Sequence, residues 1–167
     1  EGRVHLGPIL YNDTLFIFDD RKVYCIDKNY EILWKFENDG SIKANPVLDE
    51  EIMAIYICLS DGKICALDFR GKLLWEKFCG RVNKTPLIHG DKIIMISEDN
   101  LLFCLNKNYG NLKWFFTLKN SAFDMGVILD KLVVGCAQCY IILLDVFNGR
   151  ALGGFKISDE NIREIRE

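Results

Sequence analysis

The chain has 167 residues, half of them hydrophobic and 12% aromatic, which excludes a disordered segment. Acids and bases are interspersed and sum to −3, leaving no basic footprint for nucleic acid or for an acidic lipid surface. No apolar run is long enough to cross a bilayer, since the most apolar stretch, residues 125–147, is broken by Asp130-Lys131 and again by Gln138.

In chain order, the sequence describes one unit four times. The first unit opens at Pro8-Ile9-Leu10, turns at Asn12-Asp13, runs through Leu15-Phe16-Ile17-Phe18 and turns again at Asp19-Asp20-Arg21. It continues as Val23-Tyr24-Cys25-Ile26 to Asp27 and closes on Leu33-Trp34-Lys35-Phe36. The second unit repeats this from Pro46-Val47-Leu48, through Ala54-Ile55-Tyr56-Ile57 and Ile64-Cys65-Ala66-Leu67-Asp68, to Leu74-Trp75. The third runs from Pro86-Leu87-Ile88, through Ile93-Ile94-Met95-Ile96 and Leu102-Phe103-Cys104-Leu105-Asn106, to Lys113-Trp114. The fourth runs from Gly126-Val127-Ile128, through Leu132-Val133-Val134 and Ile141-Ile142-Leu143-Leu144-Asp145, to a weak last strand at Gly153-Gly154-Phe155.

The four positions Asp27, Asp68, Asn106 and Asp145 step by 41, 38 and 39 residues. A fixed period near forty with strand content marks a repeat architecture whose units bury their faces against one another. Asn, Asp and Gly between the strands are the residues that tolerate tight hairpins. The second strands are apolar at consecutive positions, which predicts sheets covered on both faces. The expected fold is all-β, a β-propeller of four-stranded antiparallel blades at about 1–39, 40–79, 80–119 and 120–158, with each Trp on the outermost strand. Residues 159–167 read as the start of a further repeat or a C-terminal tail. A short capped helix from Ser158 is the alternative. Residue 1 is Glu, so the chain is either processed or cut from a longer one.

The spacing A-x-D-x-x-x-G-x-x-x-W resembles the repeat of the pyrroloquinoline-quinone-type propellers. The third unit carries it as Cys104, Asn106, Gly110 and Trp114, and the fourth as Asp145 and Gly149 with Gly153 in place of Trp. The first two units are one residue shorter; the second keeps Gly71, whereas Tyr30 replaces the glycine in the first. The resemblance implies that each Trp docks on the neighbouring blade and that a complete ring has seven or eight blades. Four blades would then be part of a larger ring, supplied by a longer polypeptide or by self-association with a second copy. The same repeat serves quinoprotein dehydrogenases, an outer-membrane assembly scaffold, luminal stress-sensor kinases and domains appended to adenylate-forming enzymes, so it implies a fold and not one function.

Candidate chemistry is sparse. Cys136-Ala137-Gln138-Cys139 lacks the second Cys or His pair of a zinc site and the helix of a redox site. His5 and His89 stand alone, and the acids at Asp19-Asp20 and Asp49-Glu50-Glu51 read as solvated turns. Asp27, Asp68, Asn106 and Asp145 read as turn formers that accept backbone amides two residues on. Trp34, Trp75 and Trp114 read as packing. We therefore expect no catalytic residue, no metal ligands and no cofactor. Seven cysteines, an odd count, favour reduced thiols and a cytoplasmic setting. The sequons at Asn12 and Asn83 are the sign of the exported alternative. The expected function is a non-catalytic scaffold or binding module for protein partners, with no nucleic acid and no membrane. Behind it stand an accessory propeller of a larger enzyme, such as an adenylate-forming one, and a fragment of a quinone-dependent dehydrogenase.

Overall fold

The computed structural model describes residues 6–158 and 161–165; His5 lies outside them. It contains four antiparallel sheets in sequence order. The first blade is β1 (Ile9–Tyr11), β2 (Thr14–Phe18), β3 (Lys22–Ile26) and β4 (Ile32–Glu37), and the second is β5 (Val47–Asp49), β6 (Ala54–Cys58), β7 (Lys63–Asp68) and β8 (Leu73–Phe78). The third is β9 (Leu87–His89), β10 (Lys92–Ile96), β11 (Leu101–Asn106) and β12 (Leu112–Thr117). The fourth is β13 (Ala122–Ile128), β14 (Lys131–Cys136), β15 (Tyr140–Asp145) and β16 (Ala151–Ser158), to which β17 (Asn161–Ile165) is added. Each blade is a meander, so every strand pairs with its sequence neighbour and the Trp-bearing strands β4, β8 and β12 lie at a sheet edge.

The cores lie between the blades. Three apolar clusters fill the three seams, and each draws on both of the blades it joins. We call the face that carries the Trp the forward face; it packs on the back face of the next blade. The two middle blades have neighbours on both sides, and β6 and β10 are buried at every position. The end blades are different. β2 alternates with the half-exposed Leu15 and Ile17, and β14 with the half-exposed Val133 and Gly135, because each end blade has one uncovered face. The expectation of two covered faces therefore holds for the middle blades only.

The C-terminal segment follows neither the further-repeat reading nor the helix. Residues 161–165 do not open a separate sheet. They pair antiparallel with β16, from Ser158↔Asn161 to Gly154↔Ile165, so the fourth sheet has five strands. Without β17, strand β16 would be an edge with unpaired backbone groups, and a segment so near in sequence pairs with it at little cost in loop entropy.

All seven cysteines are free, six of them buried and Cys139 exposed. Burial pushes the Cys79 thiol up to about 11 and those of Cys65 and Cys104 up to about 12. At pH 8 the native protein should therefore react rapidly with a thiol reagent at Cys139 alone, and at all seven thiols after denaturation. Fast modification of several thiols before unfolding would contradict this packing.

Candidate functional site

The residues that repeat are gathered at the seams. Next to the acid or amide of each unit, the strand pairing shifts register at the same place: Cys25/Ile26, Ala66/Leu67, Cys104/Leu105 and Leu143/Leu144. This bulge ends the third strand and hands the chain to a turn built by the next side chain. Asp27 Oδ1 accepts the amides of Asn29 and Glu31, both at 2.9 Å, and Asp68 Oδ1 accepts those of Arg70 and Lys72, also at 2.9 Å. Asn106 Oδ1 takes Asn108 N at 2.9 Å and Tyr109 N at 3.1 Å. Asp145 Oδ1 takes Phe147 N at 2.8 Å and Asn148 N at 3.2 Å. The amide of Glu31, with those around it, holds the Asp27 carboxyl below its ordinary range. These side chains spend their acceptor capacity on their own turns, which is a structural use.

The turns of the second, third and fourth blades then receive the tryptophan of the preceding blade. Gly71, Gly110 and Gly149 have φ of 80°, 70° and 73°, and a Cβ built on any of them would lie 2.6 Å from the ring of Trp34, Trp75 or Trp114, respectively. The glycine is needed twice, for its left-handed backbone and for the close approach of the indole. The indole N–H also finds a backbone acceptor in that turn. Trp34 Nε1 donates to Phe69 O at 2.8 Å, Trp75 Nε1 to Lys107 O at 3.0 Å and Trp114 Nε1 to Val146 O at 3.2 Å. Opposite each Trp on the neighbouring strand stands a small residue, Cys25, Ala66 or Cys104, which leaves room for the ring. In the fourth blade the sizes are exchanged, with Leu143 opposite Gly153.

Beside this common device, each seam has its own pair. Between the first two blades, the Tyr11 and Phe69 rings meet edge-on at 5.1 Å. Between the second and third, Lys107 Nζ lies 2.9 Å from Asp49 Oδ2, with both side chains at least 96% buried, and also reaches the exposed Glu51. Tyr56 OH donates to Lys107 O at 3.0 Å in the same place. Asp49 Oδ2 has no aligned hydrogen-bond donor, so charge holds this contact. Burial draws the Lys107 ammonium down, but Glu51 and Asp49 more than offset that and leave it raised. Between the last two blades, His89 Nε2 lies 3.8 Å from Asp130 Oδ1, and Lys92 Nζ sits 4.8 Å above the Phe147 ring.

Two sequence expectations need correction here. Asp49 is buried at the end of β5 and paired with Lys107, whereas Glu50 and Glu51 keep solvated positions. His89 is half-buried at a seam. Lys107 and Tyr56 carry no signal of this role in the sequence: Lys107 follows the repeat's Asn106, a position held by Lys28 in the first unit and by Phe69 and Val146 in the second and fourth. Cys136 and Cys139 are divided between core and surface, and among the described residues no group of three or more His, Cys, Asp or Glu is placed to hold a metal. A hollow of about 390 Å³ beside Trp34, lined among others by Thr14, Leu33, Phe69 and Arg70, contains no pair of acid–base groups.

Stacked antiparallel blades joined by Trp, Gly and an Asx-turn define a propeller of the pyrroloquinoline-quinone repeat type. The family model described as outer membrane protein assembly factor BamB matches residues 19–165, and the chain belongs to that family. None of the curated proteins matches it. Among solved structures, BamB from Moraxella catarrhalis is 20% identical with a TM-score of 0.75, covering 95% of this chain and 54% of its own. The computationally designed Ika8 protein matches at 13% identity and TM-score 0.75, covering 94% of this chain and 54% of its own. Quinohemoprotein alcohol dehydrogenase ADHIIG from Pseudomonas putida HK5 matches at 10% identity and TM-score 0.72, covering 94% and 37%. The chain thus spans about half the length of the first two structures.

The Asp49–Lys107 pair has a direct test. Lys107→Met should cost about 3–5 kcal/mol, because it leaves a buried carboxylate without its partner. Lys107→Met combined with Asp49→Leu should recover most of that loss. Denaturant midpoints of the two variants that differ little from one another would contradict the coupling.

Proposed function

We propose that the chain is a non-catalytic propeller scaffold whose loop rims hold protein partners. The observation that carries this reading is the use made of the repeated residues. Each Asp or Asn closes a turn, each docked Trp lies on a glycine, and none of the repeated acids or amides lines the hollow beside Trp34. Membership of the BamB family, whose description is that of an assembly factor, supports the same reading. In it the tryptophans are blade fasteners, and the loops at the β2–β3, β6–β7 and β10–β11 turns form one exposed rim with Asp20, Asp61 and Asp99. An accessory propeller within a larger enzyme, which would use the same rim, is the second reading.

Photo-cross-linking residues placed at Asp20, Asp61 and Asp99 should capture the same protein from source cells, and Trp75→Ala should abolish the capture. That variant should lose about 3–5 kcal/mol of stability, the range for removing a packed Trp. Saturable uptake of pyrroloquinoline quinone by the purified chain, with turnover of an alcohol, would instead favour the dehydrogenase reading.

A further inference from the structure

The three internal seams follow one size rule: a small residue lies opposite a Trp on the forward face, and a glycine lies on the back face that receives it. Both open ends of the array break the rule, and in opposite senses. On the forward face of the fourth blade, Gly153 stands where the Trp would be and Leu143 stands where the small residue would be. On the back face of the first blade, Tyr30 stands where the glycine would be. It keeps the left-handed turn with φ 64° and its side chain is 86% exposed. A Trp-bearing blade cannot seat there in the usual way, because the internal seams allow no Cβ within 2.6 Å of the docked ring. The bulk missing from one end is present at the other.

We propose that these two faces are mates: the fourth blade of one copy docks on the first blade of a second copy, and two chains close a ring of eight blades. The forward face of the fourth blade offers Val133, Ile141, Leu143 and Phe155, all half-buried. The back face of the first offers Leu15, Ile17, Tyr24 and Ile26, also half-buried. Where a neighbour is present, the equivalent rows are shut off from water: Ile94, Ile96, Leu102 and Cys104 are at most 3% exposed, and Ile55, Ile57, Cys65 and Leu67 at most 2%. Faces of this composition are built for another blade. Strand β17 extends the edge of the fourth blade and leaves its forward face open. The two seams are identical and head-to-tail, and a rotation of half a turn closes them. The inference rests on the propeller fold and is independent of what the rim binds.

Light scattering on the 167-residue chain should give twice its mass of 19.3 kDa. Ile17→Glu and Val133→Glu should each be monomeric with unchanged β content, since either charge lies in both seams of a homodimer. Mixed together they should form a dimer, because one seam of the mixed pair carries neither charge. Tyr30→Asp, a surface change that leaves the blades intact, should raise the dissociation constant at least tenfold and serves if the other variants misfold. A wild-type monomer at all concentrations, a dimer indifferent to Tyr30→Asp, or folded Glu variants whose mixture stays monomeric would overturn the proposal. The rim-binding reading would survive each of these results.

Discussion

The structure depends on an indole ring lying on a glycine. A blade of four strands is too thin to bury both of its faces alone, so its stability is delivered at the contact with the next blade. Trp34, Trp75 and Trp114 make that contact with two kinds of force at once: ring area against a bare Cα, and an indole N–H aimed at a backbone carbonyl. The carbonyl is available because the Asp or Asn beside it ties up the amides of the turn and holds its backbone in place. Bulge, acid, glycine and indole therefore form one linked device that crosses from blade to blade.

Much of this was legible in the sequence. The period near forty located the four sheets, and the Asp or Asn positions and the Trp strands fell where the repeat placed them. This works because hairpins and blade faces are local patterns of two-residue and forty-residue period. What stayed hidden depends on register between distant segments. The Asp49–Lys107 pair joins residues 58 positions apart, and Asp49 looks like any turn acid until β5 is set beside the third blade. The partner of β17 depends on an edge left free by β16. The half-exposed rows on Leu15, Ile17 and Val133 follow from position at an end of the array, which a repeat pattern does not encode.

The seams also divide labour between strength and identity. The Trp–Gly contact is the same three times and is indifferent to order. The neighbouring pairs are all different: Tyr11 with Phe69, Asp49 with Lys107, His89 with Asp130. A blade in the wrong place would keep its indole contact and lose its pair, so discrimination comes from the mismatch penalty rather than from the shared fastener.

Those pairs bear on how such an array can change over generations. Repeats of similar length invite unequal recombination, which deletes or duplicates a whole unit at a stroke. Loss of the second blade would set the first against the third and place Tyr11 beside Lys107, whose two carboxylates would have left with the deleted unit. An ammonium group would then be buried against a ring with no counter-charge, a severe cost. The ion pair at one seam thus sets a cost on losing the second blade.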